Sequence, residues 1–321
     1  MRVGALVRNF GGYPETGRSS KACIDFAVQV ERLGFDSIWV TDHIVLPQSR
    51  EALYPHNASG QFPYDWRHDI HDPLALLGAL AQATTRAQIG TAVLVIPYRH
   101  PLTTAKTLAT VDQLSGGRLI LGAGVGWLRD EFDALGLSEE IFRRRGGVTE
   151  EYLAVMRQAW SANETFSHDG AFVRFGPVGA RPQPTAPGRP PVWIGGKGDQ
   201  ALKRAVRIGD GYFAISSDAA LLADEIARLR AFAEAAGRDP AELTVALIGA
   251  LSVSDRPLGE DRAVLNGSAE QILEDLQGLA RAGLDHLAAG VGRPEGLSYQ
   301  ASVEALELLA AEVLPHCGSL V

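Results

Sequence analysis

The sequence predicts an α/β fold, a (β/α)8 TIM barrel with long loops or insertions on its C-terminal face. Short apolar segments alternate with segments of helical periodicity along all 321 residues. Eight such pairs suit a barrel of about 250 residues or more. The strands are continuous apolar runs, which is typical of a parallel sheet that helices cover on both faces. A doubly wound open sheet has the same periodicity and remains the alternative.

The strand and helix segments follow each other in a regular order. Strands are predicted at 3–7, 37–41, 88–95, 118–121, 192–194, 211–215, 243–251 and 284–288. Helices are predicted at 19–33, 72–83, 102–114, 128–135, 141–160, 200–208, 219–235, 269–282 and 302–314. Gly34 closes the first helix, and Asp72-Pro73 opens the second with an N-cap residue and a proline at the first helical position.

Two long connections interrupt this order within a single predicted domain, 1–321. The segment 46–71 is rich in Pro, His, Tyr and Asn, and the insertion segment 161–191 contains a probable hairpin and several prolines. We expect both on the C-terminal face, where the loops of a barrel carry its chemistry.

Composition excludes several classes of function. The formal net charge is −8 and the pI about 5.5, which argues against nucleic acid or an anionic membrane as the main partner. No run of about 18 apolar residues occurs, and MRVGALVRNF is typical of a first strand rather than a signal peptide. The two distant cysteines, Cys23 and Cys317, fit a reducing cytoplasmic location.

The stretch PPVWIGGKGDQALKRAVRIGDGY at 190–212 places a glycine turn between a strand and a helix. Gly195, Gly196 and Lys197 could bind an anion, because backbone N–H groups at a helix start lack partners and lysine adds a charge. A tight turn that needs glycine only for its geometry is the other reading. The segment is not a Walker motif, since Lys197 precedes glycine.

A second glycine motif, LGAGVGW at 121–127, ends the fourth predicted strand. Position 127 is Trp, so the third glycine of the dinucleotide fingerprint is absent. The bare backbone at Gly124 and Gly126 would let a flat ring approach, and Trp127 would border such a pocket. Close packing of a helix on the strand is the alternative.

Polar residues near the ends of the second and third strands are further candidates. Asp42 and His43 could orient a ligand or move a proton, although a helix cap beside a surface histidine is the simpler reading. His56, His68 and His71 lie in the second loop, but no second paired cluster accompanies them, so no metal site is predicted. No nucleophile elbow or zinc-protease motif occurs, which favours chemistry supplied by a bound cofactor.

Several motifs together resemble the bacterial luciferase-like superfamily of flavin- and deazaflavin-dependent oxidoreductases. They are LGFDSIWVTDHIVLP, IGTAVLVIPYRHP, TLATVDQLSGGRLILGAGVGWLRDEFDALG, EEYLAVMRQAW and PPVWIGGKG, in this order. The resemblance covers about residues 1–215 strongly and the last third weakly. It implies a TIM barrel with an insertion between strands four and five, and a homodimer.

The resemblance also implies roles for individual positions. His43 would lie near the cofactor ring, with Asp42 beside it, and is the candidate for proton transfer or polarisation. A non-proline cis peptide at Ala92 and Val93, preceded by Thr91, would support the ring. Gly124 and Gly126 would border the ring, and the turn Gly195-Gly196-Lys197 would hold the cofactor phosphate.

One position departs from the related sugar-phosphate dehydrogenases. In those enzymes a glutamate that donates a proton follows the strand-four glycines, and here this position is Trp127. Neither that acid nor a sugar-phosphate substrate is therefore carried over. Trp127 instead suggests an apolar substrate pocket, together with Phe10, Phe62 and Tyr64.

Three functions follow from the resemblance. The first is hydride transfer to or from a small organic substrate, dependent on the deazaflavin coenzyme F-420. The second is a two-component monooxygenase that uses reduced FMN, supplied by a separate flavin reductase, on alkanesulfonates or aldehydes. The third is a non-catalytic flavin-binding protein on the same barrel.

Overall fold

Eight parallel strands close into a barrel in the computed structural model, which describes residues 1–48, 53–54, 60–186, 189–294, 296 and 298–320. The strands are β1 (Arg2–Leu6), β2 (Ser37–Val40), β3 (Gln88–Thr91), β4 (Leu94–Val95), β5 (Leu119–Gly124), β6 (Thr165–Asp169), β7 (Arg174–Gly179), β8 (Val192–Gly195), β9 (Gly211–Ala214), β10 (Thr244–Val253), β11 (Asn266–Gly267) and β12 (His286–Gly292). The barrel order is β1-β2-β3-β5-β8-β9-β10-β12. Ala5 on β1 pairs with Ile38 on one side and Ala289 on the other, which closes the barrel. The predicted fold is confirmed, and the open sheet is excluded.

Helices between the strands cover the outside of the barrel. They are α1 (Ser19–Arg32), α2 (Pro73–Ala83), α3 (Pro101–Ser115), α4 (Arg129–Ala134), α5 (Glu139–Arg143), α6 (Arg145–Ser161), α7 (Asp199–Ile208), α8 (Ala219–Ala235), α9 (Ala269–Ala282), α10 (Tyr299–Glu312) and α11 (Leu314–Cys317). The Asp72 side chain accepts from the N–H of Ala75 and caps α2, as the Asp-Pro pair predicted. Across the residues that the structure describes, no helix combines the length and apolar character needed to cross a membrane.

Two predicted strands differ from the observed ones. The strand predicted at 88–95 is divided into β3 and β4, and the Ala92–Val93 peptide bond between them is cis. The strand predicted at 118–121 extends as β5 to Gly124, because Gly122 and Ala123 pair with Trp193 and Ile194 of β8. The first glycines of the LGAGVGW motif therefore lie in the sheet and not after it.

The insertion segment 161–191 lies between the fourth and fifth barrel strands and contains the predicted hairpin, β6–β7. It was expected on the C-terminal face, and this expectation needs correction. The segment follows α6 and precedes β8, so it leaves and rejoins the barrel at the N-terminal face. Thr185 is held there by Asp112, near the end of α3. Only the hairpin tip reaches the first half of α6, where Glu151 accepts from the N–H of Phe172.

Bulky side chains fill the N-terminal half of the barrel interior. Trp39 and Trp193 pack 5.4 Å apart between ring centroids, and both contact Phe213 and His286. Neighbouring strands make room with glycine: a Cβ at Gly90 would lie 2.5 Å from Trp39 Cζ3. The barrel is thus a packed core below its mouth, and Trp39 and Trp193 belong to that core.

Three aspartates tie the turns at the N-terminal face to neighbouring strands. Asp36, just before β2, accepts from the N–H of Val3 at 2.8 Å. Asp210, just before β9, accepts from the N–H of Val192, and Asp285, just before β12, accepts from the N–H of Val245, both at 2.8 Å. Each carboxylate satisfies a strand N–H that the sheet leaves without a partner, which sets the register of the barrel.

We expect Gly90→Ala to lower the free energy of unfolding by about 1–3 kcal/mol, because the new methyl group overpacks the core. Trp39 is fully buried and the Ile120 carbonyl oxygen lies 2.8 Å from the new Cβ, so neither can move away easily. Urea denaturation measures the change. Gly78→Ala in α2 is the control: nothing lies within 4 Å of its Cβ, so it should be neutral or stabilising. Equal effects of the two substitutions would contradict the packing argument.

His286 makes stability dependent on pH. Burial, reinforced by Arg2 and the N-terminus, lowers its pKa to about 3. Between pH 6.5 and 3 the unfolded chain therefore binds a proton that the folded chain does not. Stability should fall by about 1.4 kcal/mol for each pH unit of acidification in this window.

Denaturation of His286→Gln at several pH values tests this, because glutamine keeps a polar atom near Ser37 Oγ, which lies 2.7 Å from His286 Nε2. In this variant, the decrease of the unfolding free energy with acidification that His286 causes should be absent between pH 6.5 and 4. His316→Gln, at an exposed position, should keep it. Parallel curves for wild type and His286→Gln would refute the assignment.

Candidate active site

The candidate residues of the sequence analysis meet at the C-terminal mouth of the barrel. Thr91, Gly124 and Gly195 are the last residues of β3, β5 and β8. The others follow β1 (Phe10), β2 (Asp42, His43), β3 (Ala92, Val93), β5 (Gly126, Trp127) and β8 (Gly196, Lys197). Because all strands are parallel, their carboxyl ends lie at one face, where barrel enzymes carry their active sites.

A buried acid holds His43. The Nδ1 atom of His43 lies 2.5 Å from Glu131 Oε2, and the Glu131 side chain has no exposed surface. The other carboxylate oxygen accepts from the N–H groups of Ile44 at 2.6 Å and Val45 at 3.1 Å. An ionised Glu131 can only accept, so with this carboxylate the Nδ1 atom carries the hydrogen of the bond. A neutral His43 in that tautomer has its second nitrogen, Nε2, as an acceptor.

Tyr98 completes the surroundings of the acid. Its hydroxyl donates to Glu131 Oε2 at 2.8 Å. Burial, together with the nearby Glu131 carboxylate, raises the pKa of Tyr98, so the hydroxyl stays protonated and remains a donor. The ring stacks edge-on against Phe132, which fixes its position. Sequence reasoning missed both Glu131 and Tyr98; Glu131 lies in the GWLRDEF segment, four residues after the tryptophan.

Asp42 faces away from the mouth of the barrel. Arg99 donates to both of its carboxylate oxygens, at 2.7 and 2.9 Å, and the N–H of Val95 donates to one of them at 2.9 Å. Its side chain is fully buried, and burial raises the pKa of Asp42 although Arg99 opposes the shift. A direct cofactor contact, as expected from the sequence, does not agree with this geometry. Asp42 instead ties the end of β2 to β4.

The cis peptide lies in a bulge between β3 and β4. Thr91 is buried and donates from its hydroxyl to the Gly122 carbonyl at 2.7 Å, and Ala92 packs in the barrel core. The Val93 side chain lies between two glycines: a Cβ would come within 2.5 Å of it at Gly124 and 2.9 Å at Gly195. A side chain at either glycine would collide with Val93, so both positions require glycine. Val93 itself is partly exposed.

Gly126 has a structural reason for lacking a side chain. Its φ is +80°, and a Cβ would lie 2.8 Å from both Phe132 and Val95. Its carbonyl oxygen accepts from Arg145 Nε at 3.0 Å. These contacts fix the turn that carries Trp127.

A side chain of the neighbouring strand β9 holds the turn after β8. The hydroxyl of Tyr212 donates to the Gly196 carbonyl at 2.9 Å. Gly196 and Gly198 have φ of +143° and +75°, and α7 begins directly afterwards without a side-chain cap. Lys197 is exposed. Asp199 opens the helix, but Arg228 lies 2.7 Å from its carboxylate and offsets the negative charge.

Five aromatic side chains form a cluster beside His43, and three of them contact its imidazole; we call the five the aromatic wall. They are the four predicted pocket residues Phe10, Phe62, Tyr64 and Trp127, and also Tyr54. The imidazole lies 5.2 Å from the Phe62 ring, 5.4 Å from Phe10 and 6.0 Å from Trp127. The structure thus brings the predicted pocket residues together; Tyr54 was missed because nothing in its local sequence marks it.

The histidines of the second loop have other contacts. His68 lies 3.1 Å from Asp65, and His71 lies 2.9 Å from Ser20. His56 lies outside the described residues. Within the described ranges no three His, Cys, Asp or Glu side chains are grouped so that they could hold a metal ion.

The fold and the residues at its mouth agree with the comparisons. The family model for luciferase-like monooxygenases matches residues 1–258, and the chain belongs to this family. The family's members include oxidoreductases and monooxygenases that depend on a flavin or a deazaflavin.

Relatives by sequence include proteins with and without an assigned activity. An uncharacterized protein of Mycobacterium tuberculosis is 37% identical over 220 residues, which cover 68% of this chain and 75% of the relative. An F-420-dependent glucose-6-phosphate dehydrogenase of Amycolatopsis mediterranei is 33% identical over 198 residues, covering 60% of this chain and 53% of the relative.

Solved structures share the fold at low identity. An F-420-dependent secondary alcohol dehydrogenase in complex with an F-420–acetone adduct has a TM-score of 0.79 and 19% identity, with 98% of each chain covered. The oxygenating constituent of 3,6-diketocamphane monooxygenase from a Pseudomonas putida plasmid, in complex with FMN, has a TM-score of 0.74, 19% identity and the same coverage.

We expect Glu131→Gln to lower the free energy of unfolding by about 1–3 kcal/mol. The NH2 group of the glutamine is a hydrogen-bond donor, and it would face groups that also donate. Chemical denaturation measures the loss. Glu140→Gln is the matched control: its side chain is 68% exposed and, among the described residues, pairs with Arg144 alone, so the change should stay below about 0.5 kcal/mol. Equal small effects at both positions would mean that Glu131 does not anchor this site.

Proposed function

We propose that this chain is an oxidoreductase dependent on coenzyme F-420, which transfers hydride to or from a small organic substrate. The observation that carries the proposal is His43, held at Nδ1 by the buried Glu131 at the mouth of the barrel. A histidine fixed in this way can exchange a proton through Nε2 while a bound cofactor exchanges the hydride. Sequence relatives support F-420: two F-420-dependent glucose-6-phosphate dehydrogenases are 33% and 32% identical.

The residues present fit a ring with a phosphate-bearing chain. The bulge at Ala92–Val93 offers an apolar side chain at the end of β3, and Val93 packs directly on the backbone of Gly124 and Gly195. The turn at Gly196 and Gly198 leads into the start of α7, where backbone N–H groups favour an anion and Lys197 adds a positive charge. We assign ring support to Val93 and phosphate binding to this turn.

The remaining residues position these groups. Asp42 and Arg99 hold the bulge against β2, and Arg145 holds the turn before Trp127. When bound, a deazaflavin supplies a carbon atom that accepts or gives a hydride. His43 Nε2 accepts the hydroxyl proton when an alcohol is oxidised, and protonated His43 returns it when a carbonyl is reduced. Glu131 stabilises the positive imidazolium in both directions.

Titration of the protein with F-420, oxidised FMN and reduced FMN tests the proposal, with fluorescence or absorbance as the signal. Tight binding of F-420 and weak binding of both forms of FMN is the expected result. Preference for reduced FMN would replace hydride transfer by the monooxygenase function. Binding without turnover of any substrate would favour a non-catalytic flavin-binding protein.

The phosphate assignment predicts a specific difference between two variants. Gly196→Asp should raise the Kd for F-420 at least tenfold more than Gly196→Asn does, because only aspartate repels the phosphate. Both variants share the same backbone strain and nearly the same shape, so the difference isolates charge. It should shrink in high salt, where the repulsion is screened. Equal Kd values for the two variants would exclude phosphate from this turn.

A further inference from the structure

The aromatic wall is organised around one ring. Phe62 contacts all four other members, with ring centroids at 5.0 Å (Tyr54), 5.5 Å (Tyr64), 5.6 Å (Trp127) and 6.4 Å (Phe10). It also lies 5.2 Å from His43. The members come from the end of β1, the second loop and the end of β5. Residues so distant in sequence meet only at the mouth of the barrel, so the wall is a feature of the tertiary structure.

The wall determines what can approach the reactive nitrogen of His43. Glu131 occupies Nδ1, and none of the described residues forms a hydrogen bond with Nε2. Phe10, Phe62 and Trp127 contact the same imidazole. When a substrate oxygen is bonded to Nε2, the rest of the substrate therefore lies against aromatic carbon atoms. A charged group at that place loses its hydration, and aromatic carbon offers no hydrogen bond that replaces it.

The spacing of the rings also favours substrates of a certain size. The centroids of Phe62 and Trp127 are 5.6 Å apart, so a six-membered ring that lies across both covers more of their carbon surface than a three-carbon chain does. Aromatic side chains are stiff and offer large flat surfaces, which reward a flat or compact ring more than a short flexible chain.

We infer that the site selects uncharged alcohols and carbonyl compounds whose reacting carbon belongs to, or is attached to, an alicyclic or aromatic ring. The reaction itself rests on the proposed function, whereas the binding preference rests only on the wall and His43. In this reaction the alcohol's hydride goes to the deazaflavin and its hydroxyl proton goes to His43 Nε2; carbonyl reduction is the reverse.

Three probes separate size from charge: cyclohexanol, propan-2-ol and 4-hydroxycyclohexanecarboxylate. Their affinities are measured first on the cofactor-free protein, by calorimetry or ligand-observed NMR, and then as kcat/KM with F-420 and with reduced FMN. We expect cyclohexanol to bind at least tenfold more tightly than either of the other two. The same order should hold for turnover with whichever cofactor the protein accepts.

Variants of the wall test its role. Phe62→Ala should reduce the preference for cyclohexanol over propan-2-ol below threefold, and Trp127→Glu should weaken cyclohexanol binding at least tenfold. Trp66→Ala is the matched control, because Trp66 lies in the same loop, is 49% exposed and stacks only on Arg67 among the described residues. Circular dichroism checks folding. Phe62→Leu, which keeps an apolar side chain, covers the case in which Phe62→Ala does not fold; it should retain the rejection of the carboxylate.

The outcomes distinguish this inference from the proposed function. Absence of F-420 binding together with a tenfold preference for cyclohexanol overturns the cofactor assignment and supports the inference. F-420 binding with equal affinity for the neutral and the carboxylate probe overturns the inference and leaves the cofactor assignment standing. An unchanged preference in Phe62→Ala and Trp127→Glu also overturns the inference.

Discussion

The carboxylate of Glu131 is the interaction on which the mouth of the barrel depends. It has no exposed surface and receives hydrogen bonds from His43, Tyr98 and two backbone N–H groups. A buried carboxylate is tolerated only when donors replace its lost hydration. The ends of the second, third and fourth barrel strands are therefore held in one arrangement around it. The same bonds orient the His43 imidazole, whose Nε2 is the atom that we propose exchanges a proton with the substrate.

Below its mouth, the barrel is held rigid by side-chain packing. Trp39 and Trp193 fill the interior, and glycines on neighbouring strands leave the room that these side chains need. The cluster that contains them extends upward to Ala92 and Val93. A close-packed interior has low compressibility, so the bulge at Val93 has a firm base. Site and core are continuous here, since the same residues support the barrel and the proposed cofactor seat.

The comparisons separate what the fold determines from what the site determines. Enzymes described as acting with F-420 and with FMN share this barrel at 19% identity, so the architecture alone does not select a chemistry. Function therefore has to be argued from side chains at the strand ends. In this chain our proposal rests on a histidine bonded to a buried acid, a wall of five aromatic rings and a glycine turn at the start of α7.

Local sequence determined the order of strands and helices, the hairpin, the cap at Asp72 and the glycine positions, because periodicity and turn chemistry act over a few residues. It also indicated Phe10, Phe62, Tyr64 and Trp127 as pocket residues. It did not reveal that Glu131 binds His43, 88 residues away, or that Asp42 turns from the mouth toward Arg99. It also misplaced the insertion, whose ends lie at the N-terminal face. These features were decided by tertiary structure, because barrel closure brings distant strand ends together and burial then selects which polar groups pair.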